Sequence, residues 1–175
     1  TARQLYSIYL IFTVAEIILL MFGGMNLFDA SIHTFGSVGT GGFSNYSDSI
    51  AHFDSLYIEI VIMLFMFLCG VSFNLYFAGL RRGIKVFWQN PEFRLYALIT
   101  LSVSVLIAVT LIISGSSESI GCAVSDSFFQ VISILTTTGF ATADYDLWPQ
   151  FAKALLFLLF FVGGCASSTA GGVKV

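Results

Sequence analysis

The chain has 175 residues, of which 57% are hydrophobic and only 10% are charged, and its formal net charge is −3 at pH 7. A soluble domain of ordinary composition carries about 25% charged residues, so a globular fold surrounded by water is excluded. The composition instead predicts an all-α membrane protein. We expect membrane lipid, and no nucleic acid, among its partners.

Apolar stretches along the chain predict transmembrane helices, since a helix needs about 20 mostly apolar residues to cross a bilayer. Residues 5–22, 57–80 and 95–113 reach or approach that length, and each predicts one span. A fourth apolar stretch, residues 154–162, runs directly into ten small residues.

A short cassette occurs twice between these stretches, at an offset of 126 minus 29, or 97 residues. Each copy is an apolar segment that leads into a Thr-x-Gly-Phe turn. The matched pairs are Asp29 with Asp126, Thr40 with Thr137, Gly42 with Gly139 and Phe43 with Phe140. A hairpin that dips partway into the membrane, turns on a glycine and leaves again is typical of an ion-selectivity filter. We therefore predict pore loops at residues 28–46 and 125–143.

The apolar parts of the two cassettes, residues 28–37 and 126–134, are too short to cross the bilayer. Each makes about three helical turns, against a hydrocarbon thickness of about 30 Å. Irregular backbone at that depth is tolerated only inside protein or along a water-filled cavity, so the turns should face a pore. The carbonyl ends of these helices then point toward the membrane centre and favour a cation.

The distribution of basic residues supports hairpins that enter and leave on one face. Six basic residues fall on one predicted side, which the positive-inside rule makes cytoplasmic, and only Lys153 falls on the other. The six are Arg3, Arg81, Arg82, Lys85, Arg94 and Lys174. The outer side then carries Asp48, Asp54, Glu118, Asp144 and Asp146.

Filter geometry predicts the role of each turn residue. Carbonyls that point successively at an ion push alternate residues toward left-handed backbone angles, which glycine adopts without cost. We predict that Gly42 and Gly139 take these angles and that Thr40, Gly41, Thr137 and Thr138 supply carbonyl ligands. The hydroxyls of Thr40 and Thr137 are candidate ligands at the inner end, while Phe43 and Phe140 would brace the turns by packing on the pore helices.

The Thr-rich turns and three further polar side chains allow a structural interpretation as well as a functional one. A single Thr-rich turn is commonly only a loop, but two copies in register favour a filter. Glu16 lies within a predicted span, where a carboxylate is costly and is either functional or hydrogen-bonded to a neighbouring helix. His33 and its counterpart Gln130 are interpreted as satisfied pore-helix side chains.

The run of small residues after the fourth apolar stretch lacks the Gly-Lys-Ser/Thr ending of a phosphate loop. Small residues allow close helix packing, but ten in succession have poor helix propensity and favour a break in the helix. A break below the filter would form a gate. The run comprises Gly163, Gly164, Cys165, Ala166, Ser167, Ser168, Thr169, Ala170, Gly171 and Gly172.

The sequence shows no spacing typical of an enzyme or of a structural metal site. We expect no disulfide, cofactor or bound metal other than a transported potassium ion, and no enzymatic activity. A secondary transporter with an occluded site at the membrane midplane remains an alternative, since broken helices are typical of that class too.

Three segments together resemble the TrkH/KtrB/HKT superfamily of potassium transporters, and its bacterial TrkH branch most. They are SILTTTGFATAD at residues 133–144 with Trp148-Pro149 after it, GGCASSTAGGVK at residues 163–174, and SVGTGGFS at residues 37–44. The resemblance implies four helix–pore loop–helix repeats around one pore, with one filter glycine per repeat and an intramembrane gating loop at residues 163–172.

By this resemblance the chain carries two of four repeats, the second at residues 1–90 and the third at residues 91–175, and we expect it to be part of a longer protein. The family implies a homodimer in the bacterial inner (cytoplasmic) membrane, regulated by a cytosolic nucleotide-binding subunit of the TrkA or KtrA type. The expected function is potassium translocation, with a sodium-permeable transporter of the same fold as the alternative.

Overall fold

The computed structural model describes residues 2–117 and 119–175, with side chains from residue 5 onward. Glu118 and the side chain of Arg3, both used in the orientation argument, lie outside the described residues. The helices are α1 (Ala2–Phe22), α2 (Leu27–Val38), α3 (Leu56–Cys69), α4 (Phe73–Arg82), α5 (Lys85–Gln89), α6 (Pro91–Ser114), α7 (Ile120–Leu135) and α8 (Gln150–Leu159), with short 3₁₀ segments at Ser49–Phe53 and Tyr145–Leu147.

The order of the helices repeats along the chain. A long helix, α1 or α6, precedes a shorter one, α2 or α7, which leads through a Thr-x-Gly-Phe turn to an apolar helix, α3 or α8. Helices α1 and α6 are long and apolar enough to cross a membrane. The all-α prediction with two helix–pore loop–helix repeats is therefore confirmed, and we call α2 and α7 the pore helices. The repeat boundaries at residues 90 and 91 stay a prediction.

The pore helices begin at capping residues. The Asn26 side chain accepts a hydrogen bond from Asp29 N at the start of α2, and Ser119 caps α7 by accepting from Cys122 N. Such caps satisfy backbone donors that have no partner within the helix. Helix α7 begins at Ile120, so the prediction of a short helix from residue 126 was wrong at this end. The Ser119 cap starts the helix six residues earlier, because it satisfies the N–H of Cys122 there.

The predicted second span, residues 57–80, is not one straight helix. It is broken after Cys69, and α3 and α4 meet at 87°. The carbonyls at the end of α3 are used by a distant segment: Cys165 N donates to Gly70 O at 2.9 Å, and Thr169 Oγ1 donates to Cys69 O at 3.2 Å. The prediction failed because the hydrophobic pattern is continuous across a break that tertiary contacts impose.

Two apolar clusters join the repeats. One contains Leu20, Ile62 and Met66 of the first repeat together with Phe129 and Phe140 of the second. The other is built mainly from α6, α7 and α8, and it also includes Val71 and Leu75 at the break between α3 and α4. Because both clusters contain residues of both repeats, the two pore helices and their turns are held side by side.

Gly70 lies where a side chain has no room. A Cβ atom there would be 2.4 Å from Tyr96 Oη and 2.9 Å from Thr136 Cγ2, and the Tyr96 ring is fully buried. We expect Gly70→Ala to lower the free energy of unfolding by roughly 1–3 kcal/mol through overpacking. Thermal unfolding of the purified protein in detergent measures this change.

Gly121→Ala is the matched control, because the nearest atom to a Cβ at Gly121 is Ser119 Oγ at 3.7 Å. This variant should be at least as stable as the parent, and Gly70→Ala with Tyr96→Phe should recover part of the loss. Equal stability of Gly70→Ala and the parent would contradict the close packing at the break.

Candidate functional site

The backbone alternates in handedness through both Thr-x-Gly-Phe turns. In the first, φ is +51° at Thr40 and +64° at Gly42; in the second, it is +58° at Thr137 and +93° at Gly139. The left-handed angles predicted for the two glycines are confirmed. The same angles at the two threonines were not predicted, because a β-branched residue rarely adopts them, at a cost of about 1–2 kcal/mol.

The N–H groups of each turn bond back to the end of the preceding pore helix. In the first turn, the bonds run from Thr40 N to Ser37 O at 3.2 Å and from Gly41 N and Gly42 N to Gly36 O at 2.8 and 3.1 Å. In the second turn, they run from Thr137 N to Ile134 O at 2.9 Å and from Thr138 N and Gly139 N to Ser133 O at 2.9 and 3.2 Å. The bonding scheme is thus the same in both copies.

The carbonyl oxygens of the turns are left free by this scheme. None of the carbonyl oxygens of residues 40–42 and 137–139 accepts a hydrogen bond from any residue that the structure describes. Each row of oxygens follows directly after the C-terminus of a pore helix, which carries a partial negative charge of about half an electron. The arrangement is suited to binding a cation from which water has been removed.

The two turns are in direct contact with each other. A Cβ atom on Gly42 would lie 2.0 Å from Thr138 O, so only glycine fits at this position. The Thr138 side chain is buried and its hydroxyl lies 2.8 Å from Thr136 Oγ1, so the main-chain oxygen is the group that Thr138 has available for a ligand.

The run of small residues at 163–172 lies against the first residue of each turn. Thr40 Oγ1 donates to Thr169 O at 2.9 Å, and Gly171 N donates to Thr137 Oγ1 at 2.7 Å. The hydroxyls predicted as inner-end ion ligands are therefore bound to this segment in the present structure. We call residues 163–172 the small-residue loop.

The small-residue loop is not helical, which confirms the predicted break, since α8 ends at Leu159. It fills the break between α3 and α4, where Phe73 N donates to Ser167 O at 3.0 Å. The loop also packs closely on itself: a Cβ atom on Gly163 would be 2.1 Å from Gly171 O. Small residues therefore allow the loop to pack tightly, but the alternative of close packing between helices does not apply, because the run is not helical.

The two turn phenylalanines lie in different environments. Phe140 is fully buried, and its ring packs on the pore helix of the other repeat, where a Cβ on Gly36 would be 2.6 Å from Phe140 Cζ. Phe43 is 79% exposed, and its ring lies beside Gly41. The predicted bracing of a turn against a pore helix is thus not made by Phe43 within the described residues.

Polar side chains hold the first pore helix from both ends. Ser37 Oγ in its last turn donates to Glu16 Oε1 at 2.6 Å, so the carboxylate of α1 is hydrogen-bonded to a neighbouring helix. His33 Nδ1 lies 2.8 Å from Asp29 O and its Nε2 lies 2.9 Å from Ser44 Oγ. Because the Asp29 carbonyl can only accept, Nδ1 carries the proton and Nε2 accepts from Ser44. His33 is a satisfied structural residue.

An acidic cavity of about 400 Å³ opens where the two turns end, and its lining includes Asp48, Asp144 and Asp146. These residues belong to the outer acidic group predicted from the charge distribution. Asp54 does not line the cavity; it ends the 3₁₀ segment with a left-handed φ of +42°.

Together, the spans, the paired pore loops and the non-helical small-residue loop beside them define a multi-pass membrane protein built from helix–pore loop–helix repeats. The sequence profile of the TrkH family, described as "Cation transport protein", matches residues 1–175. The chain therefore belongs to the TrkH family.

Individual relatives agree with this assignment. The chain is 40% identical over 176 residues to "Trk system potassium uptake protein TrkH" of Escherichia coli K12, covering 100% of this chain and 36% of that protein. It is 36% identical to TrkG of the same organism over 99% of this chain. The structure matches the crystal structure of the potassium transporter TrkH from Vibrio parahaemolyticus with a TM-score of 0.93 and 36% identity, over 98% of this chain and 37% of that one. The chain thus spans little more than a third of the length of these relatives.

The Glu16–Ser37 bond generates a stability prediction. Glu16 is fully buried, and its Oε2 has no partner among the described residues. Ser37→Ala removes the one hydrogen bond that Glu16 receives there, and we expect a loss of about 1–3 kcal/mol in the free energy of unfolding. Thermal unfolding in detergent measures this loss.

The double variant Glu16→Leu with Ser37→Ala should be more stable than Ser37→Ala alone, because removing both polar partners avoids an unpaired buried carboxyl group. Ser31→Ala is the control, since Ser37 also donates to a carbonyl of its own helix, Thr34 O, and half-buried Ser31 makes the same kind of bond to Leu27 O. A double variant as unstable as the sum of both single variants would contradict this account.

Proposed function

We propose that this chain supplies two of the four repeats that together line a potassium pathway in the complete transporter. The observation that carries the proposal is the pair of turns with alternating left-handed residues and free carbonyl oxygens. Two copies in contact supply half of a ring of oxygens, and two further repeats would close it. Relatives that match the whole chain are named as potassium uptake proteins, which supports potassium as the ion.

The proposed ion ligands are main-chain carbonyls of Thr40, Gly41, Gly42, Thr137, Thr138 and Gly139. Carbonyl oxygens of this kind replace the hydration shell of a monovalent cation. The outer acidic cavity raises the local cation concentration, and the carbonyl ends of the pore helices favour positive charge at the membrane centre. No step of this pathway needs a covalent reaction, so we assign the chain no enzymatic role and no cofactor.

The small-residue loop is the proposed gate. It contacts the inner end of both turns through Thr40 and Thr137, and its other contacts attach it to the break between α3 and α4. Movement of these two helices is thereby linked to the position of the loop. Lys174 Nζ donates to Ala170 O and further holds the loop in its present form.

Membership of the TrkH family also supports a proposed setting for the complete protein. We propose that it is a homodimer in the bacterial inner membrane and that a nucleotide-binding subunit of the TrkA or KtrA type regulates it from the cytosol. Four basic residues, Arg81, Arg82, Lys85 and Arg94, lie along α4, α5 and the start of α6, and they give the proposed cytoplasmic surface a positive charge.

Replacement of Gly139 tests the potassium pathway. Gly139 has φ of +93°, and a Cβ atom there would have no other atom within 4 Å, so Gly139→Ala adds backbone strain without a clash. Strain of about 1–2 kcal/mol at a carbonyl ligand should reduce the preference for potassium over sodium by several-fold. Uptake of both ions by the complete transporter in reconstituted vesicles measures the preference.

Gly24→Ala is the matched control, because Gly24 has φ of +96° and is equally free of neighbours but lies outside the turns. It should carry a similar strain and retain the potassium preference. If Gly139→Ala and Gly24→Ala showed the same ion preference as the parent, Gly139 would have no part in selectivity. Absence of potassium uptake by the parent would contradict the proposed function itself.

Replacement of the two inner threonines tests the gate. Thr40→Val and Thr137→Val remove the hydroxyls that bind the loop while keeping side-chain shape, so the loop should leave the turns more readily. Each lost hydrogen bond is worth about 1 kcal/mol, which corresponds to roughly a fivefold rise in resting ion flux. Thr40→Ser and Thr137→Ser keep the hydroxyl and should behave as the parent. A fall in flux in both valine variants would show that the hydroxyls act as ion ligands and do not hold the gate.

A further inference from the structure

An aspartate near the start of the first pore helix binds the segment that follows the turn. Asp29 Oδ1 accepts from Asn45 Nδ2 at 2.9 Å, and Oδ2 accepts from Tyr46 Oη at 3.0 Å. Oδ2 also accepts from Asn26 Nδ2 at 2.8 Å, at the cap of the same helix. Asp29 is buried, so these donors replace the water that its carboxylate would otherwise bind.

The second repeat has the same connection with different chemistry. Asp126 Oδ1 accepts from Thr142 Oγ1 at 3.2 Å. Asp29 and Asn45 are 16 residues apart, as are Asp126 and Thr142, and the two pairs are related by the repeat offset of 97 residues. A contact that recurs at equivalent positions with different donors is favoured by the geometry of the hairpin, not by one local sequence.

Each carboxylate closes a hairpin made of a pore helix and the turn after it. The inner end of the hairpin is held by the N–H bonds to the helix C-terminus. The outer end leaves the turn through residues 43–45 or 140–142, which have no regular secondary structure. A side-chain bond at this end limits how far the strand of carbonyl oxygens can move away from its helix.

We propose that Asp29 and Asp126 are positioning residues that fix the outer end of each strand of carbonyl ligands and so determine ion preference. This inference rests on the proposed potassium pathway. Neither aspartate contacts the ion; each acts through the residues that it holds. The repeat pattern in the sequence aligns the two aspartates but gives them no role, because their partners become apparent only when the hairpin is folded.

Asp29 and Asp126 differ in how strongly their hydrogen bonds stabilise the charged carboxylate. Burial raises the pKa of Asp29, but its three side-chain hydrogen bonds outweigh burial and leave the pKa below its usual value. Burial raises the pKa of Asp126, and the single bond from Thr142 offsets only part of this effect. Replacement of Asp29 should therefore have the larger consequence, since an asparagine would direct an amide N–H₂ at groups that are themselves donors.

The test is the ratio of potassium to sodium uptake by the complete transporter in reconstituted vesicles. Asp29→Asn should lower the ratio about fivefold or more, as expected for loss of hydrogen bonds to a charged group. Asp126→Asn and Thr142→Val should each lower the ratio about two- to fivefold. The double variant should have a ratio no lower than that of the more affected single variant, because both changes remove the same hydrogen bond.

Asp144→Asn is the matched control. Asp144 is also acidic and close to the outer end of the second turn, but its side chain accepts only from Asp146 N, within its own 3₁₀ segment, among the described residues. It should keep the parent ratio, although uptake at low ionic strength becomes slower as the surface charge falls. A shared change of ratio in Asp144→Asn and Asp126→Asn would assign the effect to charge and overturn the positioning role.

Other outcomes separate the inference from the proposed function. If the parent discriminates between the ions and the assembled Asp29→Asn and Thr142→Val variants keep its ratio, the positioning role is wrong and the pathway stands. If the parent takes up no potassium, the pathway fails and this inference fails with it. Should Asp29→Asn not assemble, the two single variants and the double variant of Asp126 and Thr142 test the positioning role. Thr142→Val is suited to this because it replaces one half-buried side chain with another of the same shape.

Discussion

The rest of the site depends on one interaction, the hydrogen bonds that the N–H groups of each turn donate to the last carbonyls of the preceding pore helix. The last carbonyls of a helix have no partner within it, and buried ones must find donors elsewhere. Here Gly36 O and Ser133 O each accept two N–H groups from the following turn. A trans peptide unit points its N–H and its C=O in opposite directions, and the C=O belongs to the preceding residue. Once those donors face the helix, the carbonyls of Thr40, Gly41, Thr137 and Thr138 therefore face away from it, which accounts for most of the row of free oxygens.

A second pair of incomplete helix ends is satisfied mutually. The carbonyls of Cys69 and Gly70 at the end of α3 accept from the small-residue loop, and the loop carbonyl of Ser167 accepts from the start of α4. Neither the bend nor the loop would satisfy its backbone groups alone within a membrane. Because the loop also binds Thr40 and Thr137, the helix break and the inner ends of the turns form one connected structure.

The two repeats keep one backbone arrangement and vary the side chains that support it. In the first, His33 reaches Ser44 beyond the turn; in the second, Ser133 Oγ donates to Phe140 O at 2.6 Å. Gly36, the counterpart of Ser133, has no room for a side chain because the Phe140 ring lies against it. The supports differ because each pore helix has different neighbours, although the turns themselves are alike.

Several features of this protein follow from its sequence alone. Composition determines the membrane environment, the offset of 97 residues determines the paired pore loops, and the two turn glycines are left-handed because glycine has no Cβ to clash. The non-helical run at 163–172 follows from poor helix propensity.

Tertiary structure decided the remainder. The left-handed angles of Thr40 and Thr137 go against local preference and are imposed by the bonds to the helix ends and the small-residue loop. The bend at Gly70 interrupts a continuous apolar pattern, since its hydrogen-bond partners lie almost 100 residues away. The partners of Asp29, Asp126 and Glu16 are likewise set by which elements meet in space, and a linear pattern of residue types carries no information on that.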